Sequence, residues 1–267
     1  MSTAKTIFSD IDETLLNNDK VLTDRTKQAI INVMKRGHRV IVISGAPFTH
    51  HAPRFAGTDV EYIATSNGGA LYRIRDGKLV EVIHESKVAH DVIFKICEPT
   101  EDLWDEVLIQ TKEAYYRPKT ITELRECIKD KTVTQFTPQG LNFDKMKKFG
   151  EFTKDLIAKN NLYVANYAKP FQDIKFWDSG ETKWLYYDIV NKGTAKENAV
   201  KKFSELLNIN KKDTIAIGDG FNDIKMLKTV GYGVAMGNAV QSLKDIADYI
   251  TDTNQNDGAA QFFDTIK

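Results

Sequence analysis

The sequence predicts an α/β protein: a core domain built on a parallel sheet, with a second α/β domain inserted into it. Short apolar, β-branched runs alternate with amphipathic helical stretches at both ends of the chain, the pattern of a parallel sheet with right-handed crossovers. Several of those runs stop at a loop rich in Asp, Ser or Gly. The middle, 82–183, is different: it holds both cysteines and the prolines Pro99, Pro118, Pro138 and Pro170. The expected division is therefore 1–81 with 184–267 as the core, and 82–183 as the insertion.

The elements follow in order. Thr6–Ser9 reads as a buried strand. Thr23–Arg36 reads as a helix, capped by Thr23 or Asp24, with Ala29, Ile30, Val33 and Met34 on one face and Gly37 at its end. Arg39–Ile43 is a second strand that ends in Ser44-Gly45. Ile63–Thr65 leads to the turn signal Asn67-Gly68-Gly69. In the insertion, Val107–Thr111, Val133–Phe136 and Leu162–Asn166 read as strands, and Ile121–Lys129 and Asp144–Lys159 as helices. After it, Trp184–Ile189 and Thr214–Ile217 read as strands of the core, with helices at Thr194–Leu207, Phe221–Leu227 and Ala239–Ala247. Tyr232–Ala235 is a further strand and Gly258–Ile266 a closing helix.

Composition narrows the function classes. The chain has 267 residues, 42% hydrophobic and 28% charged, with 37 basic and 37 acidic residues and no net charge. Such a balance provides no global field for nucleic acid or an anionic membrane, so neither is expected as a partner. No apolar run approaches the ~20 residues of a membrane span, and no apolar signal core opens the chain, so a cytoplasmic protein is expected. Cys97 and Cys127 fit neither a zinc pattern nor a disulfide framework and read as free thiols. Nothing in the sequence fixes the oligomeric state.

Four loops carry the chemistry. The first is Asp10-Ile11-Asp12-Glu13-Thr14: two carboxylates one residue apart at a strand end repel each other unless a cation or proton lies between them. The others are Ser44-Gly45, Lys192-Gly193 and Gly218-Asp219-Gly220-Phe221-Asn222-Asp223. Ligands of open parallel sheets bind at the carboxyl ends of the strands, so the four loops can converge. Asp10, Asp12, Asp219 and Asp223 are hard oxygen donors with no His or Cys among them, which suits Mg²⁺ rather than zinc. Ser44, nearby backbone N–H groups and Lys192 suit phosphate oxygens. Read singly, each loop is also compatible with a turn or a solvated charge.

Asp10-x-Asp12-x-Thr14, Ser44, Lys192 and Gly218-Asp219-x-x-Asn222-Asp223 resemble the four motifs of the haloacid dehalogenase superfamily. Ser66-Asn67-Gly68-Gly69 and Ala235-Met236-Gly237-Asn238 bring the chain closest to the Cof-type phosphatases with a type IIB cap. The resemblance implies a Rossmann-like core and an inserted cap that sets specificity. It implies that Asp10 forms an aspartyl-phosphate and that Asp12 protonates the leaving alcohol and then activates water. It further implies Mg²⁺ held by Asp10, the Asp12 backbone carbonyl and Asp219, with Asp223 supporting the metal, and Ser44, Gly45, Lys192 and Asn222 around the phosphoryl group. Two positions depart from the pattern: Glu13 stands where glycine is usual, and Ala46-Pro47 follows Gly45 where an arginine is common. His50 and His51 read either as a half-exposed helix start or as residues in reach of a substrate. The expected activity is hydrolysis of small phosphorylated metabolites, sugar phosphates first. The alternatives are a phosphomutase on the same scaffold and a non-catalytic phosphometabolite-binding protein.

Overall fold

Strand β1 (Thr6–Ser9) lies between β2 (Arg39–Ile43) and β13 (Thr214–Gly218), parallel to both, in the computed structural model. The structure describes residues 4–165, 176–178 and 183–267. It divides into two units, Met1–His84 with Ala195–Lys267, and Glu85–Thr194.

In the first unit, β1 is followed by α1 (Asp24–Lys35), β2, α2 (Phe48–His51), β3 (Tyr62–Thr65), β4 (Ala70–Arg75) and β5 (Lys78–Glu85). The chain leaves for the second unit and returns in α6 (Lys196–Leu206), β13, α7 (Ile224–Thr229), β14 (Tyr232–Ala235), α8 (Gln241–Lys244), β15 (Tyr249–Ile250) and α9 (Gly258–Thr265). The sheet runs β15-β14-β13-β1-β2-β3-β4-β5. Pairing is parallel from β15 to β3 and antiparallel between β3 and β4. All four residues of β1 are buried, as expected of a strand covered on both faces. Phe8 is fully buried, so Phe8→Ala would cost about 3–5 kcal/mol. Thr23 caps α1 by accepting the Thr26 N–H at 3.0 Å, and Ala29, Ile30 and Val33 face the core. The helix packs against α9, and the Arg36 guanidinium donates to the Phe263 carbonyl.

The strand order makes β1 a switch point. Its neighbours are reached by connections that leave in opposite directions, and in open α/β sheets ligands bind outside the carboxyl ends of the strands at such a point. Asp10 follows β1, Ser44 follows β2 and Asp219 follows β13, so three of the four loops are brought to this one edge.

The second unit has its own sheet. It contains α3 (His90–Cys97), β6 (Glu106–Gln110), β7 (Tyr115–Tyr116), α4 (Ile121–Ile128), β8 (Gln135–Gly140), α5 (Phe143–Lys159), β9 (Leu162–Val164), β10 (Phe176–Asp178), β11 (Lys183–Tyr186) and β12 (Ile189–Asn191). Its strands pair antiparallel in the order β10-β11-β8-β12-β9, with β6 on β8 and β7 on β6. One face of this sheet closes over Phe136, Leu185 and Ile189 against Phe149 and Met146 of α5. Asn142 caps α5 by accepting the Lys145 N–H.

One sequence expectation is corrected. The Trp184–Ile189 run belongs to the second sheet, through β11 and β12, so the break falls at 194/195 and not at 183/184. An apolar alternating run specifies a strand but not its partners, and here these are supplied by β8 and β9. The hairpin β4–β5 was not expected. Its turn, Asp76-Gly77, has positive φ at both residues (52° and 69°), the signature of a tight hairpin connection. Cys97 is buried and Cys127 half-buried, both free as expected. Phe171–Trp177, late in the expected insertion, lies largely outside the described residues. Among the described residues, no helix is long and apolar enough to cross a membrane.

Candidate active site

Asp10 is buried at the end of β1, where its N–H donates to the Ile217 carbonyl across the sheet at 3.0 Å. One of its carboxylate oxygens, Oδ1, meets the Nζ of Lys196 at 2.6 Å. Lys196 is 1% exposed in the first turn of α6, and the same ammonium donates to Asp223 Oδ1 at 2.7 Å. α6 comes this close because Gly68 has no side chain: a Cβ there would lie 2.6 Å from the Ala195 carbonyl oxygen. The second oxygen of Asp223 accepts the N–H groups of Asp219 (3.1 Å) and Gly220 (2.8 Å), which folds the loop after β13 back on itself. Gly218 permits that fold, since a Cβ would sit 2.5 Å from the Asp223 carboxyl carbon. Thr14 completes the ring by donating to Asp219 Oδ1 at 2.8 Å.

The ring is short of positive charge. Asp10, Asp219 and Asp223 have carboxylate oxygens within 4.8 Å of one another, and Lys196 is the cation among them. Burial pushes the Asp10 carboxyl well above the usual carboxylate range, Asp223 and Asp219 push the same way, and Lys196 opposes them. Asp219 is pushed up to about 7, by burial first and then by Asp223 and Glu13. Burial alone would drive the Lys196 ammonium down, but Asp10 and Asp223 more than reverse this and hold it above its ordinary value. A cluster of oxygen donors with surplus negative charge fits a hard divalent cation. Asp10 and Asp219 each have one carboxylate oxygen committed to a neighbour, Asp10 to Lys196 and Asp219 to Thr14. Asp223 has both oxygens committed, so it shapes the loop more than it offers a ligand.

Asp12 faces a different environment. Its side chain is 39% exposed, and Oδ2 accepts from His51 Nε2 at 2.9 Å and from the Ser44 hydroxyl at 3.2 Å. Burial would raise the Asp12 carboxyl, but the hydrogen bond to His51, with Lys20 and the Ser44 hydroxyl, holds it well below the usual range. Ser44 sits at the end of β2, fully buried, and its Oγ also accepts the Ala46 N–H at 3.0 Å. Gly45 lies against Asn67: a Cβ there would be 3.2 Å from the Asn67 amide. Asn67, buried at φ 53°, accepts from the Asn222 amide at 3.0 Å and so ties the loop after β13 to the loop after β3.

The expectation for Lys192 is corrected. Lys192 is exposed in the turn after β12, within the second unit, and its N–H donates to the Asn161 carbonyl. The lysine on Asp10 is Lys196. A clue lies in the helix: Lys196 falls one turn before Val200 on the face of Ala199 and Phe203, where a lone lysine on an apolar face needs a buried carboxylate. The sequence offers His51 as a helix start or a residue in reach of a substrate and Asn67 as a turn; their contacts with Asp12 and Asn222 join segments far apart in sequence and need the fold to be seen.

Comparison with known proteins gives the family. Residues 7–263 match the family model of haloacid dehalogenase-like hydrolases. The chain is similar to 5-amino-6-(5-phospho-D-ribitylamino)uracil phosphatase YcsE of Bacillus subtilis, 28% identical over 258 residues, covering 96% of this chain and 93% of the relative. It is also similar to phosphatase YwpJ of the same organism, 27% identical over 283 residues, covering 96% and 97%. Among solved structures, a haloacid dehalogenase subclass IIB sugar phosphatase superposes with a TM-score of 0.69 at 20% identity, covering 98% of each chain. With a family match over nearly its whole length, the chain belongs to the haloacid dehalogenase-like hydrolases and is an enzyme of that family.

Proposed function

We propose that this hydrolase is a Mg²⁺-dependent phosphatase of small phosphorylated metabolites, sugar and sugar-alcohol phosphates first, acting through an aspartyl-phosphate on Asp10. The observation that carries the reading is Asp10 itself: a buried carboxylate at the switch point, held by Lys196 on one oxygen and ringed by Asp219 and Asp223. Asp10 and Asp219 would hold the metal, joined by the Asp12 carbonyl. Bound there, Mg²⁺ supplies charge neutralisation between the nucleophile and the phosphoryl oxygens.

In the first half-reaction an Asp10 oxygen attacks phosphorus, the bond from phosphorus to the ester oxygen breaks, and Asp12 gives its proton to the departing alcohol. Asp12 is held as the anion by His51 and Ser44, so it must gain its proton as substrate binds. The negative charge of the phosphoryl group pushes it that way, and so does loss of the Ser44 bond when that hydroxyl turns to a phosphoryl oxygen. In the second half-reaction Asp12 takes a proton from water, which attacks phosphorus; orthophosphate leaves and the Asp10 carboxylate is restored. Lys196 and Ser44 concentrate positive charge where the transition state needs it, which is the dominant contribution in phosphoryl transfer. The substrate class is supported by the polyol phosphate named for YcsE and the sugar phosphatase fold match.

The test is phosphate release across a panel of phosphometabolites with Mg²⁺, beside Asp10→Asn. Release by the native chain and a loss on the order of 10³-fold or more in the variant are expected. Isomerised sugar phosphate with little free phosphate would replace the reading with a phosphomutase. Binding of the same esters without turnover, unchanged in Asp10→Asn, would replace it with a binding protein.

A further inference from the structure

Helix α2 ends on a histidine that takes no direct part in the bond changes above. His51 is fully buried, its Nε2 lies 2.9 Å from Asp12 Oδ2, and its Nδ1 has no partner among the described residues. The ring of His50 meets it edge-on, with centroids 4.8 Å apart. Buried side-chain nitrogens are ordinarily all bonded. Here the one bond made goes to the side chain that must move protons. We infer that His51 is the positioning residue of Asp12, its Nε2–H holding Oδ2 so that Oδ1 is presented to the leaving group and then to water. This rests on the phosphatase reading.

The argument is one of donor supply. Two donors hold Asp12 Oδ2, Ser44 and His51. The Ser44 hydroxyl has a single proton, and in the proposed reaction that proton goes to the phosphoryl group. His51 is then the donor that remains. Asp12 is 39% exposed and would otherwise swing about its side-chain torsions, while His51 is locked by burial in α2. The bond fixes the carboxyl's orientation at a distance of one hydrogen bond from the chemistry. Proton transfer depends steeply on that orientation.

The distinguishing readout is leaving-group dependence. A sugar phosphate releases an alkoxide that needs a proton; p-nitrophenyl phosphate releases a phenolate that does not. Steady-state kcat/KM reports the step in which the leaving group departs. His51→Leu fills the volume without a donor, and His51→Gln returns an N–H near the place of Nε2. For the sugar phosphate, kcat/KM is expected to fall about 10- to 100-fold in His51→Leu and to recover most of the way in His51→Gln. For p-nitrophenyl phosphate it should change less than about threefold in either. In the native protein, ¹⁵N NMR of the imidazole should show the proton on Nε2 and a bare Nδ1, a readout that needs no variant to fold. An equal loss on both substrates, no loss on the sugar phosphate, or a proton on Nδ1 with Nε2 bare would overturn the inference. If the native chain hydrolyses neither ester, the phosphatase reading falls and takes the inference with it. If it is active and Asp10→Asn is dead while the two substrates fall together in His51→Leu, the inference alone fails.

Discussion

Lys192 and Lys196 stand four residues apart, in two regions that treat a positive charge in opposite ways. Lys192 lies in the turn that ends the second unit and faces solvent. Lys196 lies in the first turn of α6 in the first unit, 1% exposed, between Asp10 and Asp223. An exposed ammonium keeps its water and needs no partner. A buried one is tolerated only when carboxylates replace that water at close range, and those carboxylates then depend on it. Spacing from a strand end therefore does not say which lysine does chemistry; the number of buried carboxylates around it does.

The comparison breaks most visibly by removing each charge in turn. Lys196→Met should lower kcat/KM for phosphate esters on the order of 10³-fold and cost about 3–5 kcal/mol of stability, because Asp10 and Asp223 are left buried without their counter-charge. Lys192→Met should stay within about twofold in activity and ±0.5 kcal/mol in stability. Steady-state assays and urea melts on the two variants measure both quantities. Equal effects would mean that burial is not what separates the two residues.

The same contrast explains what the sequence could disclose. Local features were legible: the Thr23 cap, the β1 and β2 runs, the Gly37 stop of α1 and the aspartates at strand ends all follow from nearest neighbours along the chain. The convergence of Asp10, Ser44 and Asp219 was legible too, because each follows a strand of one parallel sheet and ligands of such sheets bind at the strands' carboxyl ends. Features that depend on distant partners were not. Trp184 and Leu185 look like any apolar strand, and their place in the second sheet is decided by β8, more than forty residues earlier. His51 looks like the end of a short helix until Asp12 is placed beside it. Lys196 needed Asp223, which is 27 residues on.

A metal and pH titration probes the buried side of the comparison with a smaller effect. Burial, with Asp223 and Glu13 beside it, pushes the Asp219 carboxyl up to about 7. A carboxyl raised on folding binds its proton more tightly in the folded state, so its contribution to stability is complete below about pH 4 and is lost as pH rises through 7. Asp10 is raised as well and works in the same direction. In EDTA, the melting temperature of the native protein relative to Asp219→Asn should fall by about 5 °C between pH 5 and 7.5. Saturating Mg²⁺ requires the deprotonated ligands and should stabilise the native protein more at pH 7.5 than at pH 5. A Mg²⁺ gain that is the same at both pH values, or that survives in Asp219→Asn, would separate the acidic ring from metal binding.

The smallest effect is expected where an exposed charge borders the buried ring. Glu13 sits between Asp12 and Thr14 at φ 58°, with its carbonyl held by the Asn238 side-chain amide at 2.8 Å and its carboxylate 3.4 Å from Lys20. Both members of that ion pair are solvated, at 58% and 44% exposure, so the pair contributes little. The left-handed backbone costs a non-glycine residue about 1 kcal/mol, and glycine removes that strain while adding some freedom to the unfolded chain. Glu13→Gly should therefore change stability by about 0 to +1 kcal/mol and leave kcat/KM within about twofold. A melt and a steady-state assay suffice to measure it. A loss of tenfold or more would put Glu13 into the chemistry beside Asp10 and Asp12, and the solvation of its ion pair with Lys20 would no longer explain a small effect.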